Sequence, residues 1–196
     1  MSEIQRVAVF CGSNTGARPE YVAAAKLLGR TLASRGIGLV YGGSNVGLMA
    51  AIADEMLDEL GDVIGVIPKT LVEREVANTS LSDLRIVNSM HDRKALMAEL
   101  ADGFIALPGG IGTLEEFFET WTWAQLGMHE KPCGLLNAAG YFDSLLAFLD
   151  RTVEEKFVRP VHREMVIVDD DPASLLDRFV AYDPPRVVKW LNAGKI

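Results

Sequence analysis

The residues with the most chemistry at the closest spacing run from Leu107 to Glu116: Leu107-Pro108-Gly109-Gly110-Ile111-Gly112-Thr113-Leu114-Glu115-Glu116. The apolar run before them, Gly103-Phe104-Ile105-Ala106-Leu107, reads as a buried strand that stops at Pro108. Three glycines follow within four residues, and Thr113 is expected to open a helix. A glycine-rich turn between strand and helix lets backbone N–H groups approach an anion without side-chain obstruction. Two carboxylates, Glu115 and Glu116, are expected in the first helical turn. A loop that only held phosphate would gain little from acids so close. The pattern points to a phosphorylated ligand whose neighbouring part needs a carboxylate.

A second group, Met90-His91-Asp92-Arg93-Lys94, directly follows a strand-like run and starts a helix. Two adjacent cations at a helix N-terminus oppose the macrodipole and are usually avoided there, which points to the ligand edge, with a solvated surface role as the alternative for each. The planar guanidinium of Arg93 suits bidentate contact with an anion. Glu75 lies in an irregular acidic stretch and, taken alone, reads as a solvated loop acid.

Other motifs exclude more than they propose. Gly12-Ser13-Asn14-Thr15-Gly16 stands where a dinucleotide fold carries G-x-G-x-x-G, but residue 14 is Asn, and Gly42-Gly43-Ser44 replaces the acid that would grip a ribose. This disfavours NAD. Gly42 to Gly47 copies the two glycines of a P-loop, yet Leu48 and Met49 replace its Lys and Ser/Thr, which disfavours a kinase or ATPase. No G-x-S-x-G elbow occurs. The three histidines, His91, His129 and His162, lack metal-ligand spacing, so no metal site is expected.

Positioning these groups is the task of alternating strand-like and helix-like segments. Strands are expected at 6–11, 38–41, 63–67, 84–87, 103–107, 133–136 and 165–168. Helices are expected at 19–34, 46–60, 91–100, 113–126, 141–157 and 172–182, the first with Pro19 in its opening turn. Residues 70–83 read as irregular. The fold class is therefore α/β: a single-domain, Rossmann-like, doubly wound parallel sheet of about seven strands with helices on both faces. The domain spans 1–196, with 183–196 as a C-terminal tail. In such a sheet the turns at Ser13, Gly43 and Gly110 all lie at the carboxyl ends of strands and should converge on one cleft.

Composition agrees. The 196 residues are 49% hydrophobic, enough for one sizeable core, and the formal charge of -8 argues against nucleic acid as a partner. No apolar stretch reaches the roughly 20 residues of a membrane helix. The opening residues lack the order of a secretory signal, so a cytoplasmic location is expected. Cys11 and Cys133 sit in or beside apolar runs and read as buried free thiols.

Together, Met90-His91-x-Arg93-Lys94 and Pro108-Gly109-Gly110-x-Gly112-Thr113-x-x-Glu116 resemble the signature of the Lonely Guy family, phosphoribohydrolases that release cytokinin bases from riboside 5′-monophosphates. The resemblance extends through Cys11-Gly12-Ser13, Tyr41-Gly42-Gly43, Val66-Ile67-Pro68-Lys69, Thr122-Trp123-Ala124-Gln125-Leu126-Gly127 and Gly134-Leu135-Leu136-Asn137. It implies Arg93 and Glu116 as the catalytic pair, with Glu75, Lys94, the segment Gly110-Ile111-Gly112-Thr113-Leu114-Glu115 and Thr122 around the nucleotide. It also implies a homodimer with the active site near the interface, and no metal or organic cofactor. The implied substrate is AMP or an N6-substituted AMP.

Hydrolysis of an N-glycosidic bond passes through an oxocarbenium-like ribose, which a carboxylate can stabilise. Glu116 is expected to be held ionised by the helix dipole. Arg93 keeps its proton and suits a hydrogen bond to the departing base or to the phosphate. The phosphate is expected on the turn from Gly109 to Thr113, with Ser13 or Gly43 nearby. Met90, Trp121 and Trp123 are candidates for the base pocket, with core packing the competing role for at least one tryptophan. Two rival readings remain: a non-catalytic carrier of a phosphorylated cofactor such as molybdenum cofactor, and a decarboxylase that would need Lys94 as a Schiff base with pyridoxal phosphate.

Overall fold

Apolar side chains that alternate along the first strand, Arg6–Phe10 (β1), go to opposite sides of one sheet. Val7 and Val9 join one hydrophobic cluster, Ala8 and Phe10 another. The computed structural model describes residues 4–72 and 77–185; Glu75 and residues 186–196 of the expected tail lie outside them. The remaining strands are Gly38–Tyr41 (β2), Val63–Pro68 (β3), Asp83–Val87 (β4), Gly103–Ala106 (β5), Cys133–Leu136 (β6) and Val166–Asp169 (β7). The helices are Pro19–Ser34 (α1), Gly47–Asp58 (α2), Lys69–Val72 (α3), Met90–Leu100 (α4), Ile111–Gln125 (α5), Asp143–Glu154 (α6), Pro160–Arg163 (α7) and Pro172–Val180 (α8). All neighbouring strands pair in parallel, in the order β4-β3-β2-β1-β5-β6-β7.

The first cluster takes its helical members from α1, α2 and α8; the second takes them from α4, α5 and α6. Helices thus cover both faces, as a doubly wound sheet requires. Strand order reverses between β1 and β5, so the loops leaving these two strands diverge and leave a crevice between them. Those loops are tied together by a hydrogen bond from the Gly12 N–H to the Pro108 carbonyl, 3.0 Å.

The structure departs from the sequence expectations in several places. α5 begins at Ile111, not Thr113, because Gly110 serves as N-cap and the Leu114 N–H already reaches the Gly110 carbonyl. Helical N–H groups in a first turn have no intrahelical partner, so glycine there costs no hydrogen bond. Glu115 and Glu116 therefore stand in the second turn. Pro68 belongs to β3, opposite Val87, as its final residue. The expected helix 141–157 is shorter: a 3-10 turn at Ala138–Gly140 precedes α6, and Lys156, at φ 65, ends it. Asn137 sets that boundary by accepting from the Phe142 N–H at 2.7 Å and donating to Asp143. The short helices α3 and α7 were not expected. Burial on both faces holds for β2, β3, β5 and β6, but edge strand β4 is only half-buried.

Candidate active site

The carboxyl ends of β1 and β5 and the first turns of α4 and α5 enclose a cleft of about 380 Å³. One wall is backbone, from Gly110 to Thr113. A Cβ at Gly109 would meet Thr113 Oγ1 at 2.1 Å and the Gly12 nitrogen at 2.8 Å, so that glycine is required by close approach. Gly110 and Gly112 differ, since a Cβ on either would meet nothing within 4 Å. Packing does not explain them; a bare main chain facing open space does suit an anion at a helix N-terminus.

Arg93 enters from α4. Ser89 caps that helix by accepting from the Asp92 N–H at 3.0 Å. The Arg93 side chain turns inward, where Nε donates to the Val66 carbonyl at 3.1 Å and Nη1 lies 3.6 Å from Glu116 Oε1. Arg93 is 9% exposed and Glu116 8%. Gly42 makes room for the guanidinium: a Cβ there would stand 2.0 Å from Arg93 Nη2. This is the role of the second glycine-rich turn, and it falls on Gly42. Gly43, at φ 73, is instead enclosed by Leu84, Ile67 and Val66 and lines no part of the cleft.

Electrostatics overturn one expectation. Burial raises the Glu116 pKa above the ordinary glutamate value; nearby Arg93 opposes the rise, Glu115 adds to it, and the net direction is upward. Being in the second turn also removes Glu116 from the strongest part of the dipole. The carboxyl is therefore easier to protonate than expected, not harder. Cys11 closes the cleft at the end of β1 as a buried thiol, pushed up by burial and by Glu116.

Lys94 and Glu115 meet each other. The Lys94 ammonium lies 2.5 Å from Glu115 Oε1 and 2.9 Å from Glu119 Oε2. Burial alone would lower its pKa, but the two carboxylates outweigh that and hold it above the ordinary lysine value. A charged, doubly paired ammonium is unsuited to Schiff-base chemistry.

Of the other sequence candidates, Ser13, Gly110, Ile111, Gly112 and Thr113 line the cleft with Glu115 and Glu116. Gly109 stands on the far side of the turn, lining a second hollow with Tyr21 and Tyr141. Leu114 packs into the core, and Thr122 is exposed on α5, donating to the Phe118 carbonyl at 2.6 Å. Met90 lines the cleft, whereas Trp121 is buried in the core with its indole N–H on the His162 carbonyl. Trp123 is half-buried away from the cleft. Sequence reasoning missed Met49, Leu71 and Met97, which line the cleft with Met90. Met49 and Met97 fall in expected helices, where an apolar residue reads as core, and Leu71 falls in the stretch that reads as irregular, so no local signal separated them.

An amide wall for an anion beside a buried carboxyl–guanidinium pair can hold a phosphate and act on a bond one sugar away. Comparison with known proteins narrows this. The family model described as "Possible lysine decarboxylase" matches residues 49–179. A probable cytokinin riboside 5′-monophosphate phosphoribohydrolase of Oryza sativa subsp. japonica is 49% identical over 183 residues, 93% of this chain and 73% of the relative. A cytokinin riboside 5′-monophosphate phosphoribohydrolase of Arabidopsis thaliana is likewise 49% identical, over 93% of this chain and 85% of the relative. Among solved structures, the molybdenum cofactor binding protein of Rippkaea orientalis aligns at TM-score 0.69 and 21% identity, over 92% of this chain and 98% of that one. The molybdenum cofactor carrier protein of Chlamydomonas reinhardtii aligns at 0.69 and 19%, over 92% and 100%. These two share the fold alone. By the family model and the curated relatives, the chain belongs to the possible lysine decarboxylase family, among the cytokinin riboside 5′-monophosphate phosphoribohydrolases whose motifs it carries.

Proposed function

We propose that this chain hydrolyses the N-glycosidic bond of cytokinin riboside 5′-monophosphates and of AMP, yielding the free base and ribose 5-phosphate. One observation carries the reading: Arg93 and Glu116, both buried, face each other at 3.6 Å beside the open amide wall at Gly110 to Thr113. The phosphate sits on that wall, and its binding energy orients the sugar. Water attacks C1′ as the bond to the base nitrogen breaks. Glu116 takes the proton from that water and faces the positive charge developing on the ribose. A carboxyl whose pKa is raised by burial is a better base near neutrality than an ordinary one. Arg93, held by Val66 and Glu116, directs its remaining N–H groups at the leaving base, whose nitrogen finally takes the proton that Glu116 received from the water. Glu75, Ser13 and Thr122 are proposed as further nucleotide contacts on the family resemblance.

The same resemblance implies a homodimer with the site near its interface. Ile86 on edge strand β4 and Met90 at the start of α4 are exposed apolar side chains, which supports that assembly.

Incubation with AMP and with isopentenyladenosine monophosphate, followed by assay of free base and ribose 5-phosphate, tests the reaction. Release of base from either supports it; no release from both overturns it. The carrier reading has fold similarity behind it, whereas the buried pair favours turnover.

A further inference from the structure

Two rungs join α4 to α5. The first is the Arg93–Glu116 pair, at 3.6 Å. The second is Lys94, whose ammonium contacts Glu115 at 2.5 Å and Glu119 at 2.9 Å. Residues 93 and 94 are adjacent, as are 115 and 116, so sliding or turning α4 against α5 breaks both rungs together. The Lys94 rung is the shorter and the doubly ion-paired one, and it therefore fixes the spacing of the other. Its side chain is only 8% exposed. Glu115 lines the cleft and is half exposed, so a ligand can draw it away; Glu119 lies outside the cleft walls.

We propose that Glu119 is a positioning residue for the reaction, holding Lys94 so that α4 presents Arg93 to Glu116 and the Lys94 ammonium is withheld from the phosphate. This rests on the reaction proposed above, but its test separates the two. Charged and titratable groups facing Glu116 are Arg93 and Lys94 from α4, Glu115 and Glu119 on α5 and Cys11 at the end of β1. Removing a nearby negative charge, with geometry untouched, makes Glu116 harder to protonate. Losing Arg93 from its side makes it easier. The two effects have opposite signs.

The variants are Glu119→Ala, Lys94→Met and their combination in the full chain. Steady-state kinetics on AMP should show kcat reduced about tenfold in each single variant, KM within about threefold of wild type, and the double variant no slower than the worse single one. Ribose 5-phosphate affinity, by calorimetry, should stay within about threefold in Lys94→Met. The Glu116 carboxyl midpoint, followed by 13C NMR and assigned with Glu116→Gln, should rise in Glu119→Ala. A tenfold or greater loss of ribose 5-phosphate binding in Lys94→Met (about 1.4 kcal/mol) would make Lys94 a phosphate ligand and overturn the proposal. Unchanged kcat in Glu119→Ala, or a falling midpoint, overturns it as well. If the wild type releases no base, the proposed reaction is what fails, and the direction of the midpoint alone decides the clamp. Should Glu119→Ala not fold, Glu119→Gln, which keeps the side chain's shape, carries the same measurements.

Discussion

Arg93 and Glu116 are 23 positions apart, on different helices, yet their types, the company they keep and the family resemblance single both out as candidates in the sequence. Their mutual burial could not be read that way, because it depends on Gly42, whose missing side chain leaves room for the guanidinium. Gly42→Ala should therefore displace Arg93 and lower kcat at least about tenfold, while far-UV circular dichroism stays that of the wild type. Glu116→Gln should cost about a hundredfold or more in kcat. Its effect on stability has a definite sign. The folded pKa of Glu116 lies above the unfolded one, so the folded chain is favoured while this carboxyl is protonated, below the ordinary glutamate range, and loses that advantage as pH rises through the raised value. Glu116→Gln removes the buried charge, so urea melts between about pH 4 and pH 8 should show the variant gaining on the wild type as pH rises. A constant difference across that range would contradict the assigned direction. In the wild type, the acid limb of kcat/KM should fall above the ordinary glutamate value.

Elements were legible where apolar periodicity set them and illegible where a tertiary contact did. α1 runs as expected from Pro19 to Ser34, since its core spacing and opening proline are local signals. The start of α5 was placed two residues late, because glycines argue for a turn in sequence but are tolerated where helical N–H groups need no partner. The break before α6 depends on Asn137 bonding to Phe142 and Asp143, which spacing alone does not reveal. α4 offers a test at this scale. It presents little apolar periodicity and carries two buried cations, so its cap should matter more than usual. Ser89→Ala should lower unfolding free energy by about 1 kcal/mol, read by urea denaturation. It should also reduce kcat, because the capped turn is the one that presents Arg93.

At the level of the molecule, the doubly wound parallel sheet was legible from alternating segments alone, and the strand order β4-β3-β2-β1-β5-β6-β7 fulfils it. Partial exposure of β4 was not foreseen, since an edge strand's second neighbour is absent by topology and not by composition. If Ile86 and Met90 lie in a homodimer interface as proposed, sedimentation equilibrium should return about twice the mass of one chain, and Ile86→Glu should return about half of that. The formal charge of -8 repels a nucleotide from a distance. Screening should therefore leave kcat/KM undiminished between about 0.05 and 0.3 M salt, where a basic nucleotide-binding protein would lose affinity.

The pairing of β1 with β5 joins residues nearly a hundred positions apart, Val7 opposite Gly103 among them. A nascent polypeptide on the ribosome consequently displays its first loop long before, and its guanidinium helix only shortly before, the amide wall and the proposed acid emerge. Premature termination between α4 and β5 yields a product with half of the proposed site and a central strand, β1, paired only with β2. Such fragments should be inert and prone to aggregate rather than partly competent.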